Sequence, residues 1–289
     1  MEKYYFESIG ATLDIPGLKD KLKLYDDDIA FIAGSLVEGS INPMSFGMGN
    51  KRSDIDVFIV RKKGKMNNIS REDGYDYGSY KVSFDRFDNF GVDIEYFALE
   101  DIQELISQLN DINLSSDNGN LRIRNWFRMP EGMLLENFLS FLHRFYYSVN
   151  IGDERNYKEM KQMIDYECYF RYMVLKTITA IDNSYEDVIG NYEAGKLTVA
   201  VNCVRSVMDM ALLAYCYSVR QSLDRIKWVT FRMSNIATED LKAEKIWKKY
   251  KHLLYEESLT DDASFKRNIE DTLNLIEFTV GAIRKNIQL

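Results

Sequence analysis

The hydrophobic pattern of the chain changes character near residue 112. Before that point, short apolar or alternating runs are typical of β-strands, and they cover residues 28–33, 54–60, 80–87 and 92–97. Beyond it, apolar residues recur at helical spacing over residues 133–149, 157–187, 197–222, 238–255 and 263–287. The pattern predicts an α+β fold, with a mixed sheet and helices over residues 1–112 and an all-helical bundle over residues 113–289.

Composition supports a folded chain and limits its partners. Of the 289 residues, 46% are hydrophobic and only three are proline, which excludes a disordered chain and favours long helices. The formal net charge of −8 disfavours a nucleic-acid partner and leaves a small molecule or a protein as the acceptor. We find no apolar run near the roughly 20 residues that cross a bilayer and no signal-peptide pattern, so we expect a soluble, cytoplasmic protein without a membrane partner.

Two carboxylates one residue apart, Asp54 and Asp56, stand at the start of an apolar run that ends at Val60. On a strand, residues i and i+2 project from the same face, so both carboxylates point the same way. Their backbone positions are about 7 Å apart. That spacing lets their oxygens converge on a pair of divalent cations about 4 Å apart, an arrangement that assists phosphoryl or nucleotidyl transfer.

Two further elements accompany this pair. Gly34-Ser35 leaves the strand over residues 28–33, where backbone N–H groups and a hydroxyl can surround a phosphate, although such a pair is commonly only a turn. Asp93 and Glu95 again lie one residue apart on a strand. If that strand lies beside the Asp54 strand, one of them joins the cation cluster and accepts a proton; otherwise they form a charged edge strand that discourages aggregation.

In this order, the residues resemble the nucleotidyltransferase superfamily related to DNA polymerase beta. The pattern of that superfamily is hydrophobic-Gly-Ser, a spacer, Asp-hydrophobic-Asp and a later strand carboxylate. The matching segments here are 32–35, 53–57 and 92–94. The helical half is similar, more weakly, to kanamycin-nucleotidyltransferase-like bundles, so the likeness covers mainly residues 28–97.

The resemblance implies a metal-dependent adenylyltransferase with ATP as donor and a small hydroxylated compound as acceptor. An acceptor hydroxyl would attack the α-phosphate, and magnesium pyrophosphate would leave. Asp54 and Asp56 would bind two Mg²⁺ ions, Asp93 would bind the catalytic one, and Glu95 is the reserve for that role. The site would lie in the cleft between the two domains, and a homodimer that completes the site stays open.

The nucleotide contacts implied by the resemblance are Gly34, Ser35 and, from the bundle, Lys227. The spacer over residues 36–53 holds 18 residues and is longer than is usual for the pattern, with residues 42–50 as the apparent insertion. That insertion is either a flap near the triphosphate or a neutral loop. The second pair, Gly39-Ser40, has the more usual spacing but no strand directly before it.

Two other functions stay open at this stage. The acceptor could be a protein, as in antitoxin-type nucleotidyltransferases. Alternatively, the domain could bind a nucleotide or a partner without turnover.

Charged residues outside the motif have simpler interpretations. The basic run over residues 61–65 could receive a phosphate but is more often a solvated turn. Arg205, in an apolar helix, is expected to pair with Asp209 one turn away. His143 is expected to be a satisfied helix histidine rather than a ligand, and the cysteines to be reduced core thiols.

Overall fold

The computed structural model describes residues 2–68, 74–112, 114 and 126–287. The chain forms two compact units, one of residues 1–112 with 126–165 and the other of residues 113–125 with 166–289. The first unit contains the β-sheet and the second is helical wherever it has regular secondary structure among the described residues. The predicted α+β class is confirmed.

The first unit contains both strands and helices. Its strands are β1 (Lys3–Phe6), β2 (Ala11–Asp14), β3 (Ile29–Ala33), β4 (Ile55–Arg61), β5 (Gly74–Asp76), β6 (Tyr80–Phe87), β7 (Phe90–Ala98) and β8 (Val149–Asn150). Its helices are α1 (Ile15–Leu22), α2 (Ser35–Ile41), α3 (Leu99–Asn110), α4 (Leu135–Tyr146) and α5 (Glu154–Met163). Short 3-10 turns occupy Pro43–Ser45 and Lys63–Asn68.

Six of the strands in the described residues form one mixed sheet in the order β5-β6-β7-β4-β3-β8, and β1 pairs separately with β2. The pair β4 and β7 is parallel, and the other pairs are antiparallel. The predicted strands correspond to β3, β4, β6 and β7. The pattern did not predict β1, β2, β5 or β8, because these runs of two to four residues are too short to carry a period.

The core of this unit lies on both faces of the sheet. One face buries apolar residues of β3, β4 and β7 against β1, β2, α1 and α2. On the other face, Phe31 and Phe97 contact Phe141 of α4, with ring centroids 5.9 and 5.1 Å apart. Phe145, one turn further along α4, lies 4.9 Å from Phe31.

This packing places the unit boundary later than the sequence predicted. We expected the first domain to end at residue 112, whereas residues 126–165 belong with the sheet. The physical reason is that α4 covers one sheet face with aromatic rings, and β8 adds an edge strand to β3. Helical spacing shows that α4 is amphipathic but does not show which core its apolar face joins.

The second unit is a bundle of α6 (Tyr166–Glu193), α7 (Leu197–Ser218), α8 (Val229–Ile236), α9 (Leu241–Lys251) and α10 (Asp262–Asn286). Helix α7 packs mainly against α6 and α10. In length and composition α7 could cross a membrane, so our statement that no apolar run approaches that length is wrong. Half of its most apolar stretch is buried inside the unit, as in the core helix of a soluble protein. The cytoplasmic location stays a prediction.

The predicted Arg205–Asp209 ion pair is not formed within the described residues. Instead, the Tyr250 hydroxyl donates a hydrogen bond of 2.8 Å to Asp209 Oδ1. Arg205 Nε is buried and has no hydrogen-bond partner in the described part of the chain. Spacing of one turn permits such a pair but does not enforce it, because a tertiary partner competes for the carboxylate.

Candidate active site at the edge of the sheet

Strands β4 and β7 bring two predicted site residues side by side. Their parallel register places Asp56 next to Asp93, and Asp56 also lies next to Ala33 of β3. Laterally adjacent residues project from the same face of a sheet, so both carboxylates point toward the α4 side. The sequence predicted this common face if the two strands were neighbours, and they are.

Asp54 lies just before β4 and reaches toward β7. A Cβ atom added to Gly91 would lie only 2.1 Å from Asp54 Oδ1, so the carboxylate rests directly against the Gly91 backbone. Asp54 therefore approaches the start of β7, close enough for its charge to act on Asp93.

Burial raises the pKa of Asp93, and the negative charge of Asp54 raises it further. The Arg144 guanidinium acts in the opposite direction and offsets part of the increase. The surroundings of Asp93 therefore disfavour its charged form. A bound cation would lower that cost.

Asp56 is held on the opposite side of the cluster, toward β3. Arg144 Nη1 of α4 donates a hydrogen bond of 2.7 Å to Asp56 Oδ2, and both side chains are less than a quarter exposed. The sequence analysis missed Arg144. The available local signal was a basic residue three positions after Phe141, on the side of the helix that packs on the sheet.

Gly34 follows the last residue of β3, and the Asp56 carboxylate leaves no room for a side chain there. Its φ is +91°, and a Cβ atom there would lie 2.0 Å from Asp56 Oδ2 and 3.1 Å from Arg144 Nη1. Ser35 begins α2, which has seven residues, and is partly buried. The alternative pair Gly39-Ser40 lies inside α2, where the Ser40 hydroxyl donates to the Leu36 carbonyl.

Replacing Gly34 by Ala is expected to destabilise the first unit and displace Asp56. The variant combines a left-handed backbone with a steric overlap, for a cost of about 1–3 kcal/mol. Gly47→Ala is the matched control, because Gly47 has φ +81° but no atom within 4 Å of an added Cβ. Urea denaturation of both variants measures the difference. Equal losses would show that the Asp56 contact adds nothing.

Glu95 lies on the same face, one row deeper in the sheet. Its register partner on β4 is Phe58, and its Oε2 accepts a hydrogen bond of 2.9 Å from the Tyr80 hydroxyl. Asp93, in contrast, lies beside Asp56 at the edge. The geometry favours Asp93 as the third carboxylate, and its role in binding metal stays a prediction.

The insertion over residues 42–50 packs against α2. Ser45 is fully buried, and its hydroxyl donates a hydrogen bond of 3.0 Å to Glu38 Oε1. The second oxygen of Glu38 lies 3.4 Å from His143 Nε2, so His143 has the buried partner expected of a helix histidine. The loop is therefore anchored to α2 through Ser45, which favours the interpretation as a structural loop extension.

The basic run after β4 is neutralised by carboxylates. Arg61 forms a buried bidentate pair with Asp28, with contacts of 2.6 to 3.1 Å. Lys62 and Lys65 pair with Asp27 at 2.9 and 2.7 Å. These partners favour the structural interpretation of the run over a phosphate site.

Lys227 belongs to the second unit. It lies in the 3-10 turn Ile226–Trp228, is exposed, and its ammonium is 5.4 Å from the centroid of the Trp228 ring. Its contact with a triphosphate stays a prediction.

The carboxylate cluster is expected to destabilise the folded chain when no cation is present. Asp93→Asn should therefore raise the free energy of unfolding at neutral pH in EDTA. A raised folded pKa gives stability that is present below the unfolded pKa and lost as pH rises through the folded pKa, so the gain should shrink toward about pH 4.

Asp85→Asn is the control for that measurement, because a hydrogen bond from Lys21 lowers the pKa of Asp85. Its stability is present above the unfolded pKa and lost as pH falls, so the effect should have the opposite sign. Denaturant titrations between pH 4 and 8 report both. A loss of stability for Asp93→Asn at pH 7 would show that the carboxylates do not repel each other.

Comparison with known proteins gives little further information. No protein-family model and no curated protein matches the chain. A solved structure described as a nucleotidyltransferase-like protein from Exiguobacterium sibiricum 255-15 is similar, with a TM-score of 0.45 and 10% identity. The alignment covers 94% of this chain and 76% of that chain. A likeness at this level carries no conclusion about the reaction, which must come from the residues of the site.

Proposed function

We propose that this protein transfers a nucleotidyl group, adenylyl by the resemblance, from a nucleoside triphosphate to a hydroxyl group of a small molecule. Pyrophosphate is the leaving group. The observation that carries the proposal is the register of the adjacent parallel strands β4 and β7, which places Asp56 beside Asp93, with the charge of Asp54 acting on Asp93.

The donor set fits divalent magnesium in kind. Carboxylate oxygens are the protein ligands that Mg²⁺ prefers, and burial together with the nearby charge of Asp54 raises the pKa of Asp93, which a bound cation would oppose. As the side chains lie, no three His, Cys, Asp or Glu groups in the described residues enclose an ion. Arg144 holds Asp56 through Oδ2, so the Asp56 carboxylate would have to turn toward Asp54 and Asp93 to share an ion with them.

The residues then have separate tasks. Asp54 and Asp56 would hold the magnesium ions, and Asp93 would share the catalytic one. Bound magnesium would neutralise charge on the triphosphate and on the departing pyrophosphate. Asp93 orients the acceptor hydroxyl and accepts its proton, since a raised pKa makes a carboxylate a better proton acceptor at neutral pH. The acceptor oxygen forms a bond to the α-phosphorus, and the bond from that phosphorus to the pyrophosphate oxygen breaks.

A specific observation also supports a second candidate, a nucleotide-binding module without turnover. The Arg144 guanidinium already neutralises Asp56, which an enzyme needs as a metal ligand. In the catalytic proposal, Arg144 is a positioning residue that holds Asp56 until a cation arrives. In the rival, it is a permanent replacement for the cation.

Pyrophosphate release separates the two candidates. The full chain is incubated with Mg²⁺ and each of ATP, GTP, CTP and UTP, across a panel of hydroxylated compounds and one of candidate proteins. Release that requires both acceptor and Mg²⁺ supports transfer, and the panel that responds identifies the acceptor class. Binding of a nucleotide with no release across the whole panel supports the module, and binding that does not depend on Mg²⁺ supports Arg144 as the replacement for the cation.

A further inference from the structure

A concave region adjoins the carboxylate cluster and has no role in the function described so far. It is a pocket of about 850 Å³, within the range of small-molecule sites. Three turns of the first unit line it: the β1–β2 turn, the loop before β4 and the β6–β7 turn. Asp54 forms part of the wall. One carboxylate therefore belongs both to the cluster and to the pocket.

Three cationic side chains surround this pocket: Lys51, Arg52 and Arg86. Within the described residues, none of the three forms an ion pair or a side-chain hydrogen bond with the protein. The basic run after β4 differs, because Asp27 and Asp28 neutralise its charges. Unpaired cations gathered at one pocket in a chain of net charge −8 favour an anionic ligand.

Hydrogen bonds fix the backbone that carries Arg52 and Arg86. Asn50 Oδ1 accepts a hydrogen bond of 2.9 Å from the Arg52 N–H, and Ser53 Oγ accepts one of 3.0 Å from the Asn50 N–H. Arg86 is in β6, and its carbonyl accepts a hydrogen bond from Lys21. A site whose backbone is already fixed loses less entropy when a ligand binds.

The remaining wall suits a phosphate tail more than a large apolar group. Thr12, Ser53 and Asn89 supply polar side chains, and Phe90 is the aromatic residue of the wall. Asp88 also lines the pocket and adds negative charge there. Two guanidiniums with an ammonium match several phosphate oxygens, since Arg forms paired hydrogen bonds with phosphate.

We propose that Lys51, Arg52 and Arg86 bind the β- and γ-phosphates of the donor nucleotide in this pocket, while its α-phosphate lies at Asp54. The assignment rests on the proposed function and adds the location of the pyrophosphate group. It assigns the main phosphate contacts to these three cations instead of to Gly34-Ser35.

Calorimetric titration of the full chain with Mg·ATP and, separately, with Mg·pyrophosphate tests this. Arg52→Gln and Arg86→Gln should each weaken binding of both probes about tenfold, since a charge-assisted hydrogen bond is lost. Arg52→Lys and Arg86→Lys should recover part of it. Arg155→Gln is the matched control, because Arg155 is an exposed arginine of α5 that pairs with Glu159.

Selective weakening by the pocket variants supports the proposal. Three results overturn it: pocket variants that bind as tightly as the wild type, an equal loss in Arg155→Gln, or a wild type that binds neither probe. The Ser35→Ala variant tests the alternative that the phosphates bind at Gly34-Ser35. A loss of binding confined to Ser35→Ala would show that the phosphates bind at the start of α2, and it would overturn the pocket assignment.

These measurements separate a failure of the pocket assignment from a failure of the proposed transfer reaction. Weaker binding in the pocket variants, with no pyrophosphate release from the donor in the presence of any acceptor, would support the pocket and reject transfer. Acceptor-dependent release together with unchanged binding in the pocket variants would support transfer and reject the pocket.

Discussion

Asp54→Asn and Asp56→Asn are each expected to lower the rate of nucleotidyl transfer by about a thousandfold or more. Each variant removes a charged magnesium ligand, and metal stabilisation of transition-state charge amounts to several kcal/mol, with about 1.4 kcal/mol for each factor of ten. Initial rates of pyrophosphate release at saturating ATP and Mg²⁺ measure the loss. Asp93→Asn should show a loss of similar size.

Glu95→Gln is the matched control for these variants. Glu95 shares the strand and the sheet face of Asp93 but is bonded to the Tyr80 hydroxyl, so its replacement should change the rate far less. A large loss in Glu95→Gln with a normal rate in Asp93→Asn would move the third carboxylate to Glu95. Loss of folding in Asp56→Asn would instead show that Asp56 is structural, through Arg144.

The central strands of the sheet could be predicted because their signals are local. Strand β3 is apolar throughout, β4 is apolar apart from Asp56 and Arg61, and β6 and β7 alternate around a turn. The two-residue period of a strand predicts a common face for Asp54 and Asp56, and it placed Asp56 on the face that α4 covers. What the period could not provide was the neighbour of each strand, so the placement of Asp93 beside Asp56 depended on the parallel pairing of β4 with β7.

Arg144 could not be found in this way, because it meets Asp56 across 88 positions of the chain. Helix α4 looks like other amphipathic helices, and only its packing on Phe31 and Phe97 brings Arg144 to the cluster. The same packing moved the unit boundary from residue 112 to residue 165. Local patterns describe elements, whereas tertiary packing decides which of them complete a site.

The cationic pocket was hidden for a different reason. Lys51, Arg52 and Arg86 are polar residues of turns and strand ends, where charged residues are common. The run over residues 61–65 had the denser positive charge in sequence, yet its charges are paired. Density of charge along the chain was therefore a poor guide, because a phosphate site needs charges without partners.

The second large effect concerns the stability of the sheet. Asp28→Ala is expected to lower the free energy of unfolding by about 3–5 kcal/mol, because it leaves Arg61 buried without its carboxylate. Asp28 is 1% exposed and Arg61 5% exposed, and they are joined by paired hydrogen bonds of 2.6 to 3.1 Å. Asp27→Ala, at the adjacent position, is the matched control. Asp27 is 30% exposed where it pairs with Lys62 and Lys65, so its loss should cost less than about 1 kcal/mol.

A double variant shows where the cost of Asp28→Ala arises. Most of the lost stability comes from leaving the Arg61 guanidinium buried without a partner. The attraction within the pair contributes less, because the cost of removing both charges from water offsets much of it. Asp28→Leu combined with Arg61→Met should therefore be more stable than Asp28→Ala in urea denaturation at pH 7. The Arg61 guanidinium also lies 4.5 Å from the Tyr25 ring centroid, a contact that Met can partly replace. A double variant no more stable than Asp28→Ala would show that the ion pair itself, rather than the avoidance of an unpaired charge, joins the start of β3 to the end of β4.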